Sequence, residues 1–367
     1  MNAFLIASPL QLLNAIEAKH FFKFTNNHLI IILGLGYAKE IEVYERIISK
    51  EDWDTVNYVK ICIDIYKSQS RLLGGRLSRK IENYWNTYRR YLNRRKLDKI
   101  AKSLSAVDNI ILGNYLEYGE LYFRHFANTL AHKNLYLVDD GTDVLQINEE
   151  RKKKISTTFL SEQNIHNLSL WKRMKRNVRE AFVEWDNKEA DKLIFFTAYD
   201  IEVRGGDQVV RNEYSHLRKQ IAHLVHSDDV LFLGQSLIED KWIKKEIYFD
   251  YLKKVRSYFA EKELFYIPHP RESCETVKYI EDSIGFKIKR ADLPIEYYIA
   301  LKGDKPKVLA SFFCSALVNC LIIYEQHFKI KAFYIDPRHI LINPDLIRDI
   351  YQYFSSKVNQ NFEIVML

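Results

Sequence analysis

Met1-Asn2-Ala3-Phe4-Leu5-Ile6-Ala7-Ser8-Pro9-Leu10 begins the chain, and its reading decides the fold. Residues 3–7 form an unbroken apolar run, not an alternating one. A strand of that kind is covered on both faces, as in a parallel sheet. The chain then turns at Ser8-Pro9 into a helical pattern over 10–24. The same unit recurs. Apolar runs at 29–33, 56–61, 109–112 and 135–138 complete a first set of strands. Runs at 192–196, 230–233, 264–267, 286–289, 308–310 and 332–334 make a second set. Helical patterns at 39–49, 117–131, 241–260, 296–301 and 315–327 lie between them. Such alternation predicts a doubly wound α/β fold.

The two sets are separated by a charged, strand-free stretch at about 148–190. Two Rossmann-like domains facing a cleft are therefore expected, at 1–190 and 191–343. A last helix at 344–357, within a segment 344–367, is expected to cross back onto the first domain. The length of 367 residues suits this, at ~100–200 residues per domain. Composition is ordinary for a globular protein, with 47% hydrophobic and 28% charged residues, which excludes disordered and collagen-like classes. The net charge of +7 is uneven: residues 71–102 carry +9 and residues 151–179 carry +8, leaving −10 elsewhere. Both basic blocks fall in the first half.

Cys62, Cys274, Cys314 and Cys320 form no C-x-x-C pair, so reduced, buried thiols in a reducing compartment are expected and no metal site. The N-terminus lacks a basic leader region, and no apolar stretch is long enough to span a bilayer. Gly34-Leu35-Gly36 is half of a dinucleotide fingerprint and reads as a tight turn. Asp52-Trp53-Asp54 has the D-x-D form that some sugar transferases use for a metal, and reads as a solvated turn.

Three patterns end predicted strands, where open α/β sheets place ligands. In Leu135-Tyr136-Leu137-Val138-Asp139-Asp140-Gly141-Thr142, two carboxylates precede a glycine turn. Neighbours point apart, so one of the two faces the cleft, as a general base or as a helix cap. In Leu264-Phe265-Tyr266-Ile267-Pro268-His269-Pro270-Arg271, two prolines stiffen the backbone around a histidine, and Arg271 adds a phosphate-matching fork. In Ser311-Phe312-Phe313-Cys314-Ser315-Ala316-Leu317, hydroxyls precede an apolar helix whose open N–H groups attract phosphate. Upstream, Pro294 and Glu296 open another helix, where the carboxylate either stabilises the helix or accepts from a ribose diol.

In this order the three patterns resemble those of the bacterial sialyltransferases, namely the lipooligosaccharide enzymes of glycosyltransferase family 52 and the related capsule polysialyltransferases. Ser8-Pro9-Leu10-Gln11 also resembles their first strand-to-helix turn. The resemblance implies a GT-B fold, CMP-sialic acid as donor, inversion at the anomeric carbon, and no metal or other cofactor. It implies that His269 meets the leaving phosphate and that Ser315 and Ser311 hold that phosphate. Gly141, Pro270 and Arg271 frame the site, and Glu296 binds the ribose. The implied base is Asp139 or Asp140. Some family 52 members use an acid in a later loop, here Phe232-Leu233-Gly234-Gln235-Ser236-Leu237-Ile238-Glu239-Asp240, which makes Glu239 and Asp240 further candidates.

The implied partners are a CMP-sugar donor and a galactoside or sialoside acceptor, with no nucleic acid. The basic blocks would face anionic lipid headgroups or an anionic glycan, placing the protein in the cytoplasm or on the inner face of its membrane. Exposed aromatic residues would allow a homodimer. Two other readings stand beside this one. One is a non-catalytic polyanion-binding protein, motivated by the basic blocks; the other is a GT-B transferase using another nucleotide sugar.

Overall fold

The computed structural model describes residues 1–34, 37–48, 51–61, 76–116, 121–153, 185–291, 293–302, 304–324 and 328–367. Gly36, Cys62, Asp292 and most of the second basic block lie outside the described residues. The chain divides into two compact units, Met1–Asn212 and Glu213–Leu367.

The first unit is built on a parallel sheet of seven strands: β1 (Asn2–Ile6), β2 (Asn27–Leu33), β3 (Thr55–Lys60), β4 (Ala106–Leu112), β5 (Ala131–Val138), β6 (Ile194–Thr197) and β7 (Gln208–Arg211). Their order is β3-β2-β1-β4-β5-β6-β7. All of β1 is buried, as its unbroken apolar run requires. Leu5 lies between Ile30 on β2 and Leu112 on β4, and each such fully buried side chain adds roughly 2 kcal/mol. The helix Pro9–Phe21 begins where Ser8, in extended conformation, accepts from the Gln11 N–H, with Pro9 at the first helical position.

The long helix Arg76–Leu104 carries the first basic block. It buries Asn93, Leu97 and Ala101 at a four-residue spacing and leaves Arg89, Arg95, Lys96, Lys99 and Lys102 exposed. Over the described side chains of this helix, that is one inward stripe set against exposed cations.

The second unit repeats the plan. Its parallel sheet contains β9 (Val230–Leu233), β10 (Leu264–Ile267), β11 (Lys287–Ile288), β13 (Val308–Ser311), β14 (Lys329–Phe333) and β15 (Phe362–Val365). A separate two-stranded ladder pairs β8 (Val225–His226) with β12 (Asp304–Lys305). The six-stranded order is β11-β10-β9-β13-β14-β15. In both sheets the chain works outward from one strand and then returns to its other side. The switch points therefore fall between β1 and β4 and between β9 and β13. Two doubly wound, Rossmann-like units in one chain give the GT-B class expected from the sequence.

Three expectations change. The division falls after Asn212, not at 190, because β6 and β7 extend the first sheet. Buried Arg151 fixes this arrangement: it donates to both carboxylate oxygens of Asp207, at 2.8 and 2.7 Å, just before β7. The helix Pro344–Lys357 belongs to the second unit, and the chain after it returns to that sheet as β15. The thiols are not all buried: Cys274 is exposed and Cys314 half-buried, while Cys320 is buried. Among the described residues no helix is long and apolar enough to cross a membrane.

Candidate active site

In the first unit, candidate side chains collect at the carboxyl ends of β1, β4 and β5, around the switch point. The two adjacent acids have different fates. Asp139 is 1% exposed, and its Oδ2 accepts the Ala198 N–H at 2.8 Å. Its carbonyl accepts from buried Asn14, which in turn accepts from Asn212. Burial pushes the Asp139 carboxyl up to about 7. This residue ties β5 to the segment after β6, so as a site candidate it is corrected to a structural residue. The next side chain turns the other way, as strand alternation demands. Asp140 is half-buried. Its Oδ1 accepts from the Ser8 hydroxyl at 3.2 Å and its Oδ2 from Gln11 Nε2 at 2.6 Å. Burial raises its proton affinity, and the donors Gln11, Asn114 and Ser8 oppose that rise.

Gln11 is held at both ends, because its Oε1 accepts the Ala7 N–H at 2.7 Å. It lies so close to Gly113 that a Cβ there would sit 2.0 Å from Oε1. A side chain at position 113 would therefore push the end of Gln11 aside. Gly141 follows the acids at φ 59°, a left-handed turn that releases the chain into the helix Asp143–Lys152. Asn114 donates to Asp143 Oδ2 at 3.1 Å and lies 3.5 Å from Asp140 Oδ2. Asn114 and Asp143 were not singled out in the sequence, and Gln11 was read only as part of the first strand-to-helix turn, without a site role. Gln11, three residues past a helix cap, carried the best available signal.

In the second unit, His269 is half-buried on the loop after β10. The Arg271 N–H donates to His269 Nδ1 at 3.2 Å. Nδ1 must then carry a lone pair, so in the neutral ring the proton is on Nε2. Burial, followed by the charge of Arg271, lowers the proton affinity of the ring. Glu272 locks the loop from behind: Oε2 accepts the His269 N–H at 2.6 Å and Oε1 accepts from the Tyr266 hydroxyl at 2.5 Å. Burial pushes the Glu272 carboxyl up to about 7. This network presses on Gly234, where a Cβ would fall 2.4 Å from Glu272 Oε2 and 2.5 Å from the Tyr266 hydroxyl. Glu272 too is a residue that the motif reading passed over, one position beyond Arg271.

The other sequence candidates separate clearly. Arg271 and Pro270 are exposed, and Arg271 pairs with Asp240 at 3.0 Å. Asp240 also accepts from Ser236 at 2.6 Å. Glu239 accepts from the Ser273 N–H at 2.9 Å and the Thr276 hydroxyl at 2.8 Å. Burial would raise its proton affinity, but these donors outweigh burial and lower it. Both loop acids therefore brace the His269 loop.

Ser311 is fully buried and gives its hydroxyl proton to the Leu233 carbonyl at 2.8 Å, joining the ends of β13 and β9. Glu296 is 3% exposed and accepts from Asn319 at 3.0 Å, joining the helices Ile295–Lys302 and Ala316–Tyr324. These two corrections have one cause: tertiary packing turned both side chains inward. Ser315 remains half-exposed directly ahead of the helix Ala316–Tyr324. The neighbouring Cys314 thiol is pushed up to about 11 by burial, so it stays protonated. Asp52-Trp53-Asp54 lies at the opposite, amino end of the first sheet, where Asp54 Oδ2 accepts the Asn27 N–H at 2.6 Å.

Among solved structures, the chain is similar to the E. coli heptosyltransferase WaaC with ADP-2-deoxy-2-fluoro heptose, at 12% identity and TM-score 0.40 over 100% of this chain and 93% of that one. It is similar to LpCGTa in complex with UDP, at 13% identity and TM-score 0.47 over 99% and 84%. It is also similar to the glycosyl transferase family 9 protein of Veillonella parvula DSM 2008, at 10% identity and TM-score 0.41 over 100% and 86%. Likeness at this level carries no argument about substrate. No curated protein sequence matches the chain. A family model does: alpha-2,8-polysialyltransferase (POLYST) matches residues 2–336. The chain, with its acidic pair, His-Pro loop and Ser-rich turn in that order, belongs to the alpha-2,8-polysialyltransferase family.

Proposed function

We propose that the protein transfers sialic acid from CMP-sialic acid to a hydroxyl of a sialoside acceptor, with inversion and without a metal. The family description points to α2,8-linked sialic acid as acceptor and product. The observation that carries the reading is the half-exposed Asp140 carboxylate, ringed by neutral donors at the first switch point.

The acceptor oxygen attacks the anomeric carbon, and Asp140 takes the hydroxyl proton. The bond from that carbon to the phosphate oxygen breaks, and its electron pair goes to CMP. Attack opposite the leaving group inverts the centre. Charge growing on the phosphate is met by His269 Nε2–H, by Arg271, and by Ser315 with the N–H groups of the helix behind it. His269 serves as a neutral donor, since protonating Nδ1 would cost it the Arg271 N–H. CMP carries one phosphate, so its departure needs less cationic assistance than that of a diphosphate.

The exposed cationic face of the helix Arg76–Leu104 suits an anionic surface, either phospholipid at the inner face of the cytoplasmic membrane or the growing glycan. Neutralising Arg89, Arg90, Arg94 and Arg95 should weaken that association and spare CMP binding.

The decisive assay measures CMP release and chain extension from CMP-sialic acid with an α2,8-oligosialic acid acceptor, against Asp140→Asn and His269→Ala controls. Turnover in the unmodified protein alone supports the reading. Release no greater than in the controls removes it, and salt-sensitive binding of arbitrary polyanions without turnover would favour a binding protein.

A further inference from the structure

We propose that Asp143 is a positioning residue for Asp140, coupled to it through the Asn114 amide, so that the two carboxyls take up and release protons as a pair. This rests on the reading of Asp140 as the base.

The geometry begins with Asn114, which is 3% exposed. Its Oδ1 accepts the Leu116 N–H at 2.8 Å, which fixes the orientation of the amide. Nδ2 is therefore the end turned to the acids, donating to Asp143 Oδ2 at 3.1 Å with Asp140 Oδ2 at 3.5 Å. One NH2 group thus serves two carboxyls from different parts of the chain. Among the described residues, Asp140 meets the neutral donors Ser8, Gln11 and Asn114, and its charge is felt by Asp143 and, from the other side of the strand, by Asp139. Two carboxyls so placed, with neutral donors around them, do not ionise independently.

Burial, and then the negative charge of Asp140, push the Asp143 carboxyl up to about 6. Asp140 accordingly ionises first. When Asp143 follows, its charge strengthens the hold of Asp140 on an incoming proton, at the moment the acceptor hydroxyl must give one up. The hydroxyl proton ends on Asp140 and leaves to water after the product departs. Asp143 touches neither sugar nor phosphate in this scheme.

The test is the pH dependence of kcat and of kcat/KM for CMP release, in the unmodified enzyme and in Asp143→Asn, Asp143→Glu and Asp140→Asn. The unmodified enzyme should show an acid limb near pH 6. In Asp143→Asn that limb should move to lower pH and the plateau should fall roughly 3- to 10-fold, with both KM values unchanged. Asp143→Glu restores a second carboxyl and should restore the acid limb near pH 6. A profile for Asp143→Asn that superimposes on the parent overturns the pairing, as does an equal loss at every pH with raised KM. Activity surviving in Asp140→Asn would instead remove the base. An inactive Asp140→Asn beside an unaltered Asp143→Asn removes the pairing alone.

Discussion

The two units share one topology yet present their candidate residues at different strand ends. In the first, the working groups follow β1, β4 and β5, and side chains hold the key residue: Ser8 and Gln11 reach across to Asp140. In the second, they follow β9, β10 and β13, and the backbone holds the key residue: His269 is pinned through its own N–H and through that of Arg271. The contrast matches the proposed tasks. A base must change protonation, so neutral donors that tolerate either state surround it. A phosphate partner must keep one tautomer, so a backbone N–H, which cannot lose its proton, enforces it.

The largest expected effect is on the first unit. Asp140→Asn should lower turnover by about 10²–10⁴ while leaving CMP affinity intact, as kcat and calorimetry would show. His269→Ala should cost about 10²–10³ in kcat, the scale for removing one preorganised donor. Because this ring works in its neutral form, activity should hold from pH 7 to 8, above the acid limb of the carboxyl pair; a rate that falls as the ring loses a proton would assign it an acid's role instead.

Smaller effects come from the two tight glycines. Gly234→Ala drives a Cβ into the Tyr266–Glu272 pair and should destabilise the second unit by about 1–3 kcal/mol in denaturant unfolding. Gly113→Ala displaces only the end of Gln11, so it should cost roughly tenfold in turnover and little stability.

Asp139→Asn should leave turnover nearly unchanged and act on stability alone. The folded value of about 7 lies above the ordinary 3.8. The stability it contributes is therefore complete below about pH 4 and is lost as pH rises through 7. At full burial that difference corresponds to roughly 4 kcal/mol. Thermal melts between pH 4 and 8 should flatten in the variant.

What was legible in the sequence follows the same physics. Central strands declared themselves because both faces are buried: β9 and β10 have the bounds read from their apolar runs. The edge strands β7 and β15 did not, because an edge needs no continuous apolar run; Gln208, Val209 and Arg211 are exposed. Within the site, the acidic pair and the His-Pro loop were readable as local patterns. Which acid turns outward was not, since it depends on strand phase. Nor was the Gln11–Asp140 contact, which joins residues 129 positions apart. Ser311 and Glu296 failed for a related reason: their local settings allowed a ligand contact, and packing against β9 and Asn319 closed it.

The central claim, that the first unit supplies the base and the second holds the nucleotide, is tested most directly by CMP titration calorimetry on Asp140→Asn and His269→Ala side by side. Asp140→Asn should bind CMP as the unmodified protein does, and His269→Ala should bind it about tenfold more weakly. Loss of CMP binding in Asp140→Asn with full binding in His269→Ala would contradict it.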